Sequence, residues 1–481
     1  MGGSLTRLRK FASNLRFAPH STSTAEGRSK ERYRRAFLTS LASGLSRAIG
    51  IASGLISVPL TLHYLGTERY GLWMTISAVV AFLGFSDLGI SNGLTNGIAQ
   101  AHGRDDRLLA RQYVSSAFFF LVAVALVLGG IFAIAYRWVS WSSVFRVRSA
   151  QAISEVGPAV AVFAACFLFN IPAGIVSRVQ MGFQEGFIAN LWASLGSILA
   201  LLSLLLVIHF RGSLALLVLA MAGAPILALM LNGAAEFGVY HRWLIPSWRY
   251  VNLKVSKRLL RLGLLFFFLQ IASAIGYSSD NIVLARILGV EAVSQYAVPY
   301  RLFTLVTIVT SFLITPLWPA YGEALEKGDH LWIRRTLYRS LILSTGAALV
   351  MSVVLVLLGT RIIHVWVGSS IQPSLMLLVG LGIWGVVSAV SSTVSVFLNG
   401  LSVVRFQIYL VLVGAVTNIL ASVYLTRRIG IPGVVYGSIL SQLLIGFIPY
   451  YLYVRQYLKR ELPGVSSGSV DIPIEEKGNF F

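Results

Sequence analysis

Apolar segments long enough to cross a lipid bilayer recur along almost the whole chain. A hydrocarbon core about 30 Å thick requires about 20 apolar residues in a helix. Only 12% of the residues are charged and the mean hydropathy is +0.77, whereas soluble domains contain about 25% charged residues. The sequence therefore predicts an all-α integral membrane protein. Twelve transmembrane helices are expected, at about 36–62, 71–97, 113–136, 156–177, 187–209, 213–236, 259–285, 293–320, 337–360, 373–398, 404–425 and 432–454.

The distribution of lysine and arginine predicts the topology. These residues are about three times as frequent in the two tails and the even-numbered loops as in the odd-numbered loops. Because positively charged loops stay in the cytoplasm, we expect both termini to be cytoplasmic. The net charge of +21 is then explained by topology and anionic headgroups, and we expect no nucleic-acid partner.

An internal repeat predicts two pseudo-symmetric lobes of six helices each. Val176-Ser177 with Gly182 and Gly196 recurs as Val394-Ser395 with Gly400 and Gly414, at a constant offset of 218 residues. Further pairs are Leu65-Gly66 and Tyr70 with Leu288-Gly289 and Tyr296, and the loop 103–111 with the loop 328–335. The expected domains are a basic cytoplasmic tail (1–35), an N-lobe (36–236), a cytoplasmic linker (237–258), a C-lobe (259–455) and a second cytoplasmic tail (456–481).

The loops contain no recognisable catalytic module. There is no P-loop, no GxGxxG after a strand and no GxSxG. The single cysteine, Cys166, excludes an intramolecular disulfide and a thiolate cluster, and the seven histidines lack metal-binding spacing. We therefore expect a transporter with no covalent chemistry, no cofactor and no metal. The alternative from another class is a membrane-embedded glycan ligase or polymerase, but the outer loop 137–155 offers it no histidine.

Four charged residues lie more than three residues inside the ends of the predicted transmembrane segments: Arg47, Asp87, Asp280 and Arg301. Each costs about 2.5 to 3.5 kcal/mol at the centre of a membrane helix. Such residues face a wet cavity, a polar ligand or one another. Internal ion pairing that fixes helix packing is one interpretation, and a substrate cavity is the other.

Arg47 belongs to a polar stripe on the first predicted helix, roughly 16 Å deep from Ala36 at about 1.5 Å per residue. The stripe follows the helical period and comprises Ser43, Arg47, Gly50, Gly54, Ser57 and Thr61. A close helix contact would explain the two glycines but not the arginine. A guanidinium group donates two parallel hydrogen bonds to phosphate. Together with an apolar crevice, it predicts a site for a lipid-linked phosphate or pyrophosphate.

The chain resembles a known family in the turns that flank these charges. The first predicted helix with Tyr70-Gly71-Leu72-Trp73 and Asp87-Leu88-Gly89, followed by Asp280, Leu288-Gly289 and Tyr296, resembles the polysaccharide flippases of the MOP superfamily. Within it, the chain is most similar to Wzx-like O-antigen or exopolysaccharide translocases, over residues 36–460.

This resemblance implies a multi-pass protein of the bacterial inner membrane that moves an undecaprenyl-pyrophosphate-linked oligosaccharide by alternating access. Arg47 and Arg301 would bind the pyrophosphate or acidic sugars. Asp87 and Asp280 would serve ion coupling or gating, with H⁺ or Na⁺ as the ion. The implied partners are the lipid-linked oligosaccharide, membrane lipids, and the polymerase and chain-length proteins of polysaccharide synthesis.

Two related transport functions are the alternatives. Ser46-Arg47 followed by Gly50 also resembles the first helix of the lipid II flippase, but the second arginine expected six residues later is Ser53 here. Drug-exporting MATE proteins resemble this chain in architecture. They use an acidic residue on the first helix for cation coupling, and this chain has none in that segment.

Overall fold

The computed structural model describes residues 19–83, 87–145, 147, 149–367 and 371–460. Its side chains are described at these positions except 67, 77–83, 271–279, 290, 291, 294, 367, 459 and 460. The described chain consists of helices and connecting turns and contains no strand. The predicted all-α fold is therefore confirmed.

Ten helices in the described part of the chain are long and apolar enough to cross a membrane. They correspond to ten of the twelve predicted segments. The predicted segment 71–97 is interrupted by residues 84–86, which lie outside the described part of the chain. The predicted segment 259–285 falls on a helix that is present from Leu253 to Ile287, but its side chains from 271 to 279 are not described.

The structure divides into two compact units. The N-unit is Thr39–Gln270, and the C-unit is Ile271–Phe481 together with Met1–Leu38. These divisions differ from the predicted lobe boundaries at 36 and 259, since they fall inside two long helices. Residues 19–38, here called the arm, thus belong to the C-unit, whereas the sequence predicted a separate tail that ends at residue 35.

The helices of the N-unit pack around two apolar clusters. One contains Ile98, Tyr113 and Val179, and the other contains Leu72, Val156 and Leu214. The helices are α1 (Ala25–Leu83, from Thr39), α2 (Ile90–Gly103), α3 (Arg107–Trp138), α4 (Trp141–Val144), α5 (Ala150–Ala173), α6 (Ile175–Gly182), α7 (Gly186–His209), α8 (Leu214–Val218), a π-turn (Leu219–Gly223), α9 (Ala224–Ala235), a π-turn (Glu236–Tyr240), 3₁₀ turns at Arg242–Leu244 and Trp248–Tyr250, and α10 (Leu253–Ile287, to Gln270).

The C-unit also has two apolar clusters. One contains Phe303, Val306 and Leu381, and the other contains Tyr321, Trp332 and Phe397. Its helices, besides the start of α1 and the end of α10, are α11 (Val290–Ile314), α12 (Leu317–Glu326), α13 (His330–Val367), α14 (Leu375–Gly400), α15 (Arg405–Ile429), α16 (Pro432–Ser441), a π-turn (Gln442–Phe447) and α17 (Ile448–Arg460).

Backbone geometry supports the predicted repeat. Gly66 interrupts α1 with φ 73° and ψ 172°, and Gly289 precedes α11 with φ 91° and ψ 171°. Only glycine adopts this conformation readily. Positive φ also recurs at Gln184 and Ser402, which are separated by the same 218 residues that relate the sequence motifs.

The paired glycines at the ends of α6 and α14 have the same packing role. A Cβ atom on Gly182 would lie 2.6 Å from Cβ of Ile98, and one on Gly400 would lie 2.6 Å from the carbonyl oxygen of Trp318. Both positions therefore permit a helix approach that no larger residue allows. The repeat detected in the sequence is a repeat of turns and of close helix contacts.

Candidate functional site

Asp280 is a buried carboxylate of the C-unit that neutral hydroxyl groups surround. Its side chain is 8% exposed. The hydroxyl of Tyr296 donates to Oδ2 at 3.1 Å, and Oγ of Ser438 lies 3.3 Å from Oδ2 and 3.4 Å from Oδ1. Asn418 donates to Oγ of Ser438 at 2.7 Å. Within the described residues no arginine or lysine forms an ion pair with Asp280, so internal ion pairing does not explain its burial.

A cavity of about 130 Å³ with both polar and apolar lining adjoins Asp280 within the C-unit. Ser438 and Gln442, at the junction of α16 with the π-turn Gln442–Phe447, line it together with Asn418 of α15 and Tyr300 of α11. Gln442 donates to Oγ of Ser391 at 2.8 Å. π-Turns inside helices are frequent at functional sites. The cavity is large enough for a few waters or a cation, and its polar lining includes several side-chain oxygen atoms beside one carboxylate.

Arg301 lies in the same unit, one residue after Tyr300, and its side chain is exposed. Thr304, one turn further along α11, donates a hydrogen bond to the backbone carbonyl oxygen of Arg301 at 2.6 Å. In the part of the chain that the structure describes, Arg301 forms no ion pair with a carboxylate. Its guanidinium group is thus available to an anionic ligand.

Arg47 lies in the N-unit on the exposed side of α1. A Cβ atom added to Gly50 or Gly54, the glycines that follow it, would have no neighbouring atom of the described chain within 4 Å. Among the described residues, the close helix contact that could have explained these glycines is therefore absent at both positions. One turn before Arg47, Oγ of Ser43 accepts a hydrogen bond from Asn190 of α7 at 2.8 Å, and this bond ties the stripe to the N-unit.

Asp87 has a positively charged neighbour that the sequence did not suggest. It interacts electrostatically with Arg178 of α6, whose Nη1 donates to Asn92 at 3.3 Å. Its own Oδ1 accepts a hydrogen bond from the backbone N–H of Gly89 at 2.9 Å. Asp87 and Arg178 form no direct ion pair in the described part of the chain, so their interaction is a longer-range electrostatic attraction. The sequence also predicts that Ser77 and Gly84 share a helix face with Asp87, but both positions lie outside the described side chains.

Two glutamates, one of them buried, and a histidine form a cluster in the N-unit. Ligand atoms of Glu185, Glu236 and His241 lie within 4.8 Å of one another. Glu236 is 0% exposed and accepts from Gln180 at 3.0 Å, while Nδ1 of His241 lies 2.8 Å from its other oxygen. The amide and the imidazole satisfy this carboxylate. Sequence reasoning missed the cluster because Glu185 lies about 50 residues before Glu236 and His241 in the chain.

The structure places the four predicted site residues in three different settings. Arg47 and Arg301 are exposed, and each lies on a helix that is long and apolar enough to cross a membrane. Asp280 adjoins a cavity, whereas Asp87 lies beside an arginine. The cavity residues on α15 and α16 were not predicted, although Asn418 with Ser422 and Ser438 with Ser441 show the polar helical spacing that could have indicated them.

Comparison with known families gives one match over most of the chain. A family model described as "Polysaccharide biosynthesis protein" matches residues 35–325. A Salmonella typhimurium protein named as an O-antigen transporter is 23% identical over 416 residues, covering 84% of this chain and 93% of that protein. A Yersinia pseudotuberculosis protein named as an O-antigen export protein is 23% identical over 290 residues, covering 59% of this chain and 64% of that protein.

Solved transporters share the fold. The chain superposes on a MATE transporter of Vibrio cholerae with a TM-score of 0.74 and 15% identity, covering 90% of this chain and 98% of that one. It superposes on a MOP-superfamily transporter of Pyrococcus furiosus with a TM-score of 0.74 and 14% identity, covering 89% and 96%. At this identity the likeness concerns architecture alone, and it agrees with the predicted MOP-like fold.

Proposed function

The chain belongs to the polysaccharide biosynthesis protein family, and from that premise we propose that it is a flippase for a lipid-linked oligosaccharide. The substrate would be an undecaprenyl-pyrophosphate-linked glycan of O-antigen, capsule or exopolysaccharide synthesis. The protein would move it across the bacterial inner membrane by alternating access, with both chain termini in the cytoplasm. No bond of the substrate is made or broken in this process.

The observation that carries this proposal is the placement of Arg47 and Arg301. Each is exposed on a helix long and apolar enough to span the membrane. An arginine facing hydrocarbon costs about 2.5 to 3.5 kcal/mol. One that faces a wet path or an anionic group avoids this cost. Since guanidinium groups bind phosphate with two parallel hydrogen bonds, a pyrophosphate or an acidic sugar is the ligand that fits them.

Asp280 supports the proposed coupling to an ion. Its carboxylate adjoins a cavity lined by side-chain oxygens and has hydroxyl donors rather than cationic partners. Hydroxyl, amide and carboxylate oxygens are the ligands that hard cations prefer, and a carboxylate in this setting also accepts a proton. H⁺ or Na⁺ binding at Asp280 would remove the net charge from the site. The charge change would bias the C-unit between conformations.

Asp87 would have a gating role rather than an ion-binding one. Its interactions with Arg178 and the backbone of Gly89 hold it beside the start of α2. An electrostatic interaction that is stronger in one conformation of a transporter than in the other stabilises the first conformation. In the proposed cycle, Asp87 and Arg178 stabilise one state of the N-unit.

Replacing the two arginines tests the flippase proposal. A deletion strain is complemented with Arg47→Ala, Arg301→Ala or the control Arg249→Ala, which changes an exposed arginine of the linker. We expect the first two variants to lower glycan export by at least about tenfold, equivalent to about 1.4 kcal/mol, and the lipid-linked intermediate to accumulate. Normal export by both variants, at normal expression, would show that a cationic substrate site is not used.

A cation-coupled exporter of drugs or metabolites is the second candidate, because the cavity beside Asp280 does not depend on a glycan substrate. A lipid II flippase is the third, supported by Arg47 and opposed by Ser53. The deletion strain separates them. Raised drug susceptibility with normal glycan export indicates the exporter, and accumulation of lipid II indicates the lipid II flippase. The polymerase and chain-length proteins would be partners only under the first proposal.

A further inference from the structure

The arm (residues 19–38) is held on the C-unit by a network of ion pairs. Arg28 contacts both carboxylate oxygens of Asp329, at 2.9 and 3.2 Å. Arg32 contacts Glu323 at 2.9 Å and Asp329 at 2.7 Å. The side chains of Arg32, Glu323 and Asp329 are only 3%, 7% and 12% exposed. These two basic residues of the arm therefore bind protein carboxylates, not lipid headgroups.

Uncharged contacts extend the same interface along the arm. The hydroxyl groups of Tyr33 and Thr336 lie 2.7 Å apart, and the ring of Tyr33 lies 5.6 Å from that of Trp332. The guanidinium carbon of Arg32 is 4.9 Å from the centre of the Trp332 ring. Ala36 is buried in the same cluster as Tyr321. The arm thus packs on α12 and α13 like any other helix of the unit.

Burial makes this network dependent on all its members. Two charges taken out of water are stabilised only by good mutual geometry, and removal of one partner leaves the other buried without compensation. Lys327 also contacts Glu323, at 3.1 Å, so three basic side chains share two carboxylates. By contrast, Glu26 and Lys30 form an exposed pair on the same arm, with side chains 78% and 55% exposed, and exposed pairs contribute little.

The helix that begins in the arm continues without a break to Gly66. Arg47 lies on this helix, about 22 Å from Arg32 along the axis at about 1.5 Å per residue. A continuous helix transmits the position of its start to later turns. We propose that the arm positions Arg47 for transport, with Arg28, Arg32, Glu323 and Asp329 as the positioning residues. The consequence for transport rests on the proposed function, whereas the docking of the arm does not.

Limited trypsin digestion of the purified full-length protein tests the docking. The arm offers cleavage after Arg28, Lys30, Arg32, Arg34 and Arg35. Asp329→Asn removes the carboxylate that Arg28 contacts and one of the two that Arg32 contacts. We therefore expect cleavage within the arm to become about tenfold faster or more, because the cleavage rate follows the population of the open form. Glu323→Gln should act in the same direction, and Asp329→Glu should restore much of the protection. The matched control Glu26→Gln should change nothing. Equal rates in Asp329→Asn, Glu323→Gln and the wild type would overturn the proposal.

Glycan export then tests the positioning role. At equal expression and equal folded yield by size-exclusion chromatography, Asp329→Asn should lower export several-fold, and Asp329→Glu should recover it. The double variant with Asp329→Asn and Arg47→Ala should export no less glycan than Arg47→Ala alone. Substitutions that act through one group do not have additive effects. Full export with a cleavable arm, or an additive further loss, would overturn the positioning role. Normal export by Arg47→Ala would instead contradict the substrate role of Arg47, and the digestion result would still decide the docking.

Discussion

The N-unit and the C-unit repeat the same backbone turns, but their equivalent acidic residues have different partners. Gly66 and Gly289 share an unusual conformation, and Asp105 and Gly328, which are as far apart along the chain, both have positive φ. Asp106 and Asp329 each directly precede a helix at equivalent positions. Yet Asp106 is exposed and only caps its helix by accepting from the N–H of Leu109, whereas Asp329 binds two arginines of the arm.

The acidic residues near the predicted membrane helices show the same divergence. Asp87 of the N-unit lies beside Arg178, while Asp280 of the C-unit has Tyr296, Ser438 and a cavity. A duplicated backbone evidently constrains turns and close helix contacts, not the partners of each charge. A carboxylate near an arginine stabilises one arrangement of its helices, whereas one with hydroxyl donors and open space can exchange a proton or a cation.

Asp280→Asn should lower transport more than the equivalent change at Asp87, and it tests this contrast directly. The amide keeps the size of the side chain and can still accept from Tyr296 and Ser438, but it cannot change charge. We expect glycan export to fall by at least about tenfold, or about 1.4 kcal/mol, at normal folded yield. Transport assays in proteoliposomes across imposed H⁺ or Na⁺ gradients measure it.

The result for Asp280→Asn is informative only beside a matched change in the other unit. Asp87→Asn provides that control, since it also exchanges a carboxylate for an amide. If the two variants lost equal transport, or if Asp280→Asn failed to fold while Asp87→Asn did not, the division into a coupling residue and a structural residue would be wrong.

Asp87→Asn should mainly affect stability. It leaves the half-buried Arg178 without its carboxylate neighbour, at a cost of about 1 to 3 kcal/mol, below the 3 to 5 kcal/mol of a fully buried pair. The midpoint of thermal unfolding in detergent should fall, and Arg178→Gln should lower it similarly. The double variant should be less destabilised than the sum of the two, as expected for groups that interact. Strict additivity would show that the two charges are not coupled.

Much of the fold followed from the sequence because membrane helices need about 20 apolar residues and because glycine marks the turns. Ten predicted spans, the Gly66 and Gly289 turns, and the Gly182 and Gly400 contacts all had signals within a few residues of themselves. The residues that contact the charged side chains had no such local signal in the sequence. Arg178, for example, donates to Asn92, which lies 86 residues earlier in the chain. Only the three-dimensional packing brings those segments together.

The same limit explains the arm and the cavity. Nine basic residues before Ala36 predicted a cytoplasmic tail, and the carboxylates that bind two of them lie almost 300 residues further along the chain. The cavity beside Asp280 draws on α11, α14, α15 and α16. Polar spacing on each helix indicates which face is polar. It does not indicate which faces meet.

Gly182→Ala and Gly400→Ala should destabilise the two units by similar amounts. Each methyl group would enter a space where the nearest atom lies 2.6 Å away, and overpacking of this kind costs about 1 to 3 kcal/mol. Thermal unfolding of each variant measures the loss, with Gly44→Ala as the control because a Cβ atom there would have no neighbouring atom of the described chain within 4 Å. A large loss at only one of the two sites would show that the repeat does not extend to helix packing.

The smallest expected effect is that of pH on the docking of the arm, which depends on the charge of Asp329. Burial acts to raise the pKa of Asp329, but hydrogen bonds from Arg28 and Arg32 outweigh it and hold the pKa below its usual value of 3.8. A lowered folded-state pKa means that the stabilisation is fully present above the unfolded value and is lost as the pH falls through the folded value. Protection of the arm amides in hydrogen exchange, corrected for intrinsic rates, should therefore be unchanged from about pH 8 to about pH 5 and should decline only below about pH 4. A decline between about pH 7 and about pH 5 would mean that a group other than this carboxylate holds the arm, and Asp106→Asn should leave the profile unaltered.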